Sequence, residues 1–171
     1  CIAYNLNQKQ DYINIFEIAK VFSVSSGGVQ EQLVLGIALC GIKSLFVFER
    51  GLVKEQLGLL HLKGISEVFL QRLGIKDYSF DITQNANELV AYVNKERIGV
   101  MARLEETVLD SLDIKNKEVW VAEFSLDKIL PYVNLTQRFA PLPMYPGISR
   151  DISLILKEEI KAGDILSLIH I

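Results

Sequence analysis

The chain is 171 residues long, half of them hydrophobic, with 18 basic and 21 acidic residues and a net charge of -3. That length and apolar content bury a substantial core and fit one main domain with at most an appendage, which excludes a disordered chain. The acidic balance excludes a broadly cationic nucleic-acid binder and confines any RNA contact to a local groove.

Residues Cys1 to Gln10 read as the end of a helix leading into a strand. The chain begins at Cys1 without a methionine, as a fragment would, so any targeting peptide would lie outside it. The next stretch, Tyr12 to Phe22 (YINIFEIAKVF), carries β-branched and aromatic residues in both alternating rows. It is therefore expected to be an interior strand with both faces covered. Glu17 then sits mid-row among apolar neighbours and must be paired, hydrogen-bonded or protonated. Two readings stay open for it: a structural pair with a Lys or Arg, or a substrate pocket, present or vestigial.

After the turn SVSSGG, Leu33 to Cys40 alternates large residues with Val34, Gly36, Ala38 and Cys40, as in an antiparallel neighbour whose small face is closely approached. Cys40 reads as a reduced, buried thiol, and with Cys1 it forms no CxxC motif. Gly41 to Gly51 shows no clear period, and Lys43 interrupts the most apolar region before it could span a bilayer. Lys54 to Leu73 predicts a helix with Leu62, Ile65, Phe69 and Leu73 on its apolar stripe and Gly74 as its stop. Gly64 inside it implies close approach of another backbone, and His61 beside it reads as a packed or hydrogen-bonded histidine.

Tyr78, Phe80 and Ile82 mark a half-buried strand. Leu89 to Val93 and Ile98 to Leu104 form a hairpin in which Gly99 marks a bulge or a close backbone approach. A short helix covers Glu105 to Leu112, and a strand follows from Glu118 to Leu126, with Glu123 as a second carboxylate on a strand. The proline-rich FAPLPMYPG is an extended connector. Beyond it, Asp151 to Leu156 is expected as a strand and Ala162 to Ile171 as a helix, too little for an independent domain.

FEIAKVF, then LKG at Leu62 to Gly64, then MYPGISRDISL at Met144 to Leu154, together resemble the C-terminal part of the bacterial-type phenylalanyl-tRNA synthetase β subunit. The resemblance covers essentially the whole chain. It implies an α+β fold: a class II aminoacyl-tRNA synthetase-like antiparallel sheet with packed helices over residues 1–137. A connector and the first strand and helix of a ferredoxin-like, anticodon-binding domain would follow over 138–171. It also implies a non-catalytic structural and interaction module of an α2β2 phenylalanine-tRNA ligase in the cytoplasm, with an α subunit and tRNA(Phe) as partners and no membrane. ATP and Mg2+ would belong to the holoenzyme, and this fragment would carry no cofactor, metal ligand or catalytic residue.

The resemblance also locates what remains of a site. A catalytic relative holds its amino acid with a Gln and a Glu two residues apart, and the matching positions are Ile15 and Glu17. Its glycine-rich, arginine-ended ATP motif corresponds to EFSLDKI, where Glu123 and Ser125 occupy glycine positions and Lys128 the arginine position. Side chains there fill space that a nucleotide needs, and lysine lacks the planar fork of guanidinium. The alternative is an independent class II-like amino-acid-adenylating enzyme with Glu17 binding an amine. ARLEE at Ala102 to Glu106 stands where most β subunits carry a glycine and a His-Pro pair.

Overall fold

The computed structural model describes residues 1–136 except 26, 49, 86 and 116, with the side chain of residue 25 also left aside, and, further on, residues 151, 153–155, 157, 160 and 165. The chain divides into two compact units, Cys1–Gln137 and Arg138–Ile171.

The first unit is an antiparallel sheet of seven strands with helices on its faces. A short helix α1 (Ile2–Asn7) precedes β1 (Tyr12–Ser25), which turns into the long β2 (Gly28–Val47). These two pair in the register Ile13↔Cys40 to Lys20↔Leu33, so the two stretches expected as neighbours are neighbours. The chain then adds β3 (Gly51–Gln56), helix α2 (Leu59–Arg72), β4 (Tyr78–Ile82), β5 (Glu88–Val93), β6 (Glu96–Arg103), α3 (Glu106–Ser111) and β7 (Val119–Ser125). The single turn α4 (Leu126–Ile129) and a 3-10 turn over Leu130–Tyr132 are the last elements in the described part of this unit. Spatially the order is β1-β2-β7-β6-β5-β4, with β3 pairing the far end of β2.

The order overturns one expectation. Tyr12 to Phe22 lies at the sheet edge, not in its interior, and Phe16, Ile18 and Phe22 are exposed. Glu17 is exposed too and makes no ion pair among the described residues. An edge position leaves its carboxylate in water, where no desolvation has to be offset. The interior strands are β2, β7, β6 and β5, where Leu39, Val119, Phe124, Ile98, Met101 and Ala91 are all buried.

Gly41 is where β2 changes partner. Its φ of +101° suits glycine, and a Cβ there would lie 1.9 Å from the Asp11 carbonyl oxygen, which accepts the Ile42 N–H at 2.7 Å. Beyond it, Ile42 to Val47 pairs with Gly51 to Gln56 as a two-stranded ribbon, the region in which no period was legible. Residues 54–56 are thus strand, and the helix expected from Lys54 begins at Leu59. Its start is closed by His61, whose Nδ1 accepts the Gly58 N–H at 3.3 Å and whose Nε2 lies 3.4 Å from Glu55 Oε2.

Helix α2 buries Leu62, Ser66 and Leu70 and packs Ile65, Phe69 and Leu73 partly against the same core. Ser66 is satisfied by donating to the Leu62 carbonyl at 2.8 Å, with Met101 Sδ at 3.3 Å. Phe69 meets Phe124 with ring centroids 5.9 Å apart. The backbone approach expected at Gly64 is not there, since a Cβ on it would meet nothing within 4 Å. The close approach falls instead at Gly99, where a Cβ would lie 2.6 Å from the Glu123 carbonyl oxygen, and the β5–β6 register shifts beside it, between Ala91 and Tyr92.

In the second unit, Asp151 and 153–155 carry no strand, contrary to the strand expected over Asp151 to Leu156, while Ile165 lies in a helix. A strand is held by its ladder, and one apolar row supplies none without a paired partner. The connector and most of the helix expected over Ala162 to Ile171 lie outside the described residues.

Candidate functional site

The face of the sheet opposite α2 carries Ile13, Ile15 and Glu17 of β1, then Cys40, Ala38, Gly36 and Val34 of β2. The same face continues through Val119, Val121 and Glu123 of β7 to Val100 and Ala102 of β6. At the Cys40 end it is covered: Ile13, Cys40, Leu109, Ile114 and Val119 form a second buried cluster with Ile2, Ala3 and Leu6 of α1 packed against it. Burial pushes the Cys40 thiol up from its ordinary range, with nearby Lys117 pulling weakly the other way.

Towards Gly36 the cover stops, and the sheet floors a cleft of about 640 Å³. Ile15, Glu17, Gly36, Ala38, Ala102 and Glu123 line it, with Cys1 and Asn5 of the α1 segment on one side. The small face of β2, read in the sequence as a surface of close approach, is at this end an open floor; a Cβ on Gly36 would meet only the Glu17 carbonyl oxygen, at 3.9 Å. Glu17 and Glu123 both stand opposite Gly36, one on each side, so their backbones are two strand spacings apart, roughly 9–10 Å. Neither forms an ion pair among the described residues, and no cationic side chain is part of the lining.

Three of the five residues singled out in the sequence, Ile15, Glu17 and Glu123, thus come together along one cleft. Ser125 and Lys128 do not line it. Ser125 is the N-cap of α4, its hydroxyl accepting the Lys128 N–H at 3.4 Å and the Gln32 Nε2–H at 2.5 Å. Asp127 accepts the Leu33 N–H at 2.8 Å, tying α4 to β2. Lys128 Nζ donates to the Arg97 carbonyl at 3.1 Å and lies 4.0 Å from Glu96. Glu96 also accepts from Tyr132 at 3.0 Å, a bond that raises the Tyr132 phenol above its ordinary value. The cation that would face a phosphate is committed to the β5–β6 turn, so these residues do not fit ATP.

Sequence reasoning missed the floor residues Val100 and Ala102, because the adjacency of β6 and β7 is non-local, and it missed Asp127. The signal for the α4 cap was present in SLDK, a serine three residues ahead of the capped N–H. Among the described residues, no three His, Cys, Asp or Glu side chains gather to hold a metal ion. ARLEE falls at the end of β6 and the start of α3, where Arg103 pairs with Glu118 at 3.2 Å and Glu105 is the N-cap residue.

Comparison with known proteins places this geometry. The chain is 28% identical to the phenylalanine-tRNA ligase β subunit of Fusobacterium nucleatum over 171 residues, covering 95% of this chain and 21% of that protein. Against the β subunit of Protochlamydia amoebophila it is 27% identical, covering 99% of this chain and 21% of the relative. It therefore spans about a fifth of the length of these relatives. The fold is similar to that of the pyrrolysyl-tRNA synthetase of Desulfitobacterium hafniense, with a TM-score of 0.56 at 17% identity over 75% of this chain and 45% of that one. Residues 1–126 match the family described as the phenylalanyl-tRNA synthetase β-chain CLM domain, and with that match covering most of its length the chain belongs to this family.

Proposed function

We propose that the chain is a non-catalytic structural and interaction module of a phenylalanine-tRNA ligase β subunit, acting in the cytoplasm within an α2β2 enzyme that charges tRNA(Phe). Its direct partner is the α subunit, and ATP and Mg2+ are used by the assembled enzyme, not by this chain. Residues 138–171 belong to a ferredoxin-like, anticodon-binding domain. One observation carries the non-catalytic reading: Ser125 caps a helix and Lys128 clamps a hairpin turn, so the segment that resembles an ATP motif has its polar groups spent on structure. Ile15 and Glu17 are then the remnant of an amino-acid site. Among the described residues, no helix is long and apolar enough to cross a membrane.

The test is phenylalanine-dependent ATP–pyrophosphate exchange by the purified chain with magnesium, with and without an α subunit. Activation needs positioned cations on the transferring phosphates as well as a grip on the amino acid, and Glu17 meets only the second need. No exchange is expected from the chain alone, nor from its Lys128→Arg variant. The second reading, an independent adenylating enzyme, draws on the cleft that Glu17 lines. Robust exchange by the chain alone, abolished by Glu17→Ala, would establish it in place of the first.

A further inference from the structure

The outer row of β1 remains unexplained by that reading. Phe16, Ile18, Lys20, Phe22 and Val24 lie on the α2 side of the sheet, opposite Ile37, Leu35, Leu33, Glu31 and Val29 of β2. Helix α2 packs over β6 and β7. Under it Leu35 and Ile37 are buried, but one strand further out Phe16 is 74% exposed and Val24 86%. The apolar core thus runs out from beneath α2 onto a face that nothing among the described residues covers. Both rows of β1 nevertheless have the composition of a strand covered on two sides.

We propose that this face takes an amphipathic helix laid beside α2, supplied by the remainder of a full-length β-subunit polypeptide. The inference rests on the reading of the chain as part of such a subunit. Three observations favour a helix from that source. Helix α2 packs over β6 and β7, so the midline of the bare strip on β1 and β2 lies about two strand spacings to its side, roughly 9–10 Å, which matches the 8–10 Å between packed helices. The relatives are about five times as long as the matched segment, which covers 21% of them, so abundant polypeptide is available to supply it. The polarity of the strip is also patterned: Lys20 and Glu31 pair at 2.6 Å between the apolar Phe16–Ile18 and Phe22–Val24 sections. The occupant carries apolar side chains over both sections and a polar one between them. From Phe16 to Val24 the strip runs roughly 27 Å, about five turns of helix.

Thiol reactivity tests this directly. Cys1 is exposed and Cys40 buried, so Cys1→Ser gives a quiet background for Ile18→Cys on the strip and for Val68→Cys on the exposed side of α2 as a control. Both variants are labelled in the 171-residue chain and in the full-length β subunit carrying it, without α subunit. Labelling at Ile18→Cys is expected to slow by more than about tenfold in the full-length protein, as for a site opened only by local unfolding. Val68→Cys should stay fast. Equal reactivity at Ile18→Cys in the two proteins overturns the inference, as does protection that appears only on adding α subunit or on raising the concentration of the chain. Slowed hydrogen exchange along β1 with a still-reactive thiol also overturns it, because it identifies an added strand at the edge. If the ligase reading itself is wrong, the full-length protein fails to assemble with an α subunit, a readout independent of the labelling.

Discussion

Three glycines in similar sequence contexts have different physical roles. At Gly99 a Cβ would press on the Glu123 carbonyl and the Phe124 ring, both fixed by the sheet. Gly99→Ala is expected to cost about 1–3 kcal/mol, read as a lower urea midpoint at unchanged m. At Gly64 there is open space, so Gly64→Ala should raise stability by about 1 kcal/mol through helix propensity alone. Gly74 stops α2 with φ +75°, and a Cβ on it would lie 1.8 Å from the Asn134 carbonyl oxygen, so both backbone conformation and space exclude alanine there. Cys40 adds a pH dependence. Burial raises its thiol in the folded state, so its contribution is full below the unfolded thiol range near 9.0 and is lost as pH rises through it towards the folded value. Denaturant midpoints measured from pH 7 to 10 should fall at the alkaline end, and Cys40→Ala should be less stable throughout but show a shallower alkaline fall.

Elements were legible where one face is buried and the other wet. The β4 alternation and α3 carry that contrast, while the β5–β6 hairpin and β7, buried on much of both faces, were marked by short apolar runs bounded by polar turns, and all lie where their patterns place them. The β2–β3 ribbon carries no such contrast, because Phe46, Phe48 and Leu52 are exposed around it, and its pattern is accordingly without period. The edge position of β1 was hidden for a different reason: apolar composition in both rows speaks to the two faces of a strand, not to whether another strand pairs along each of its edges. The cleft was half legible. Ile15, Glu17 and Glu123 were found on their strands, but their meeting depends on β2 lying between β1 and β7, which no local pattern encodes. At this scale α4 is testable as a clamp. Lys128 and Glu96 are each nearly half exposed, so Lys128→Met should cost under about 1 kcal/mol, and both it and Tyr132→Phe should raise hydrogen exchange in the β5–β6 turn.

For the whole molecule, the telling feature is that β2 is twenty residues long and is shared by β1, β3 and β7. Two of those partners are near in sequence, but Val34 meets Ser125 and Cys40 meets Val119. Pairing over such separations is slow to form, since the intervening loop must close before any contact is gained. On a ribosome, β1 to β3 emerge first with one flank of β2 unpaired and its apolar side chains bare. At roughly 5–20 residues per second, the wait for β7 is on the order of ten seconds. During that interval the nascent chain carries an open, sticky edge. A polypeptide stopped before Val119 is expected to pellet, one extended through Ile129 to remain in the supernatant, and a chaperone supplied during translation to matter most between those two lengths.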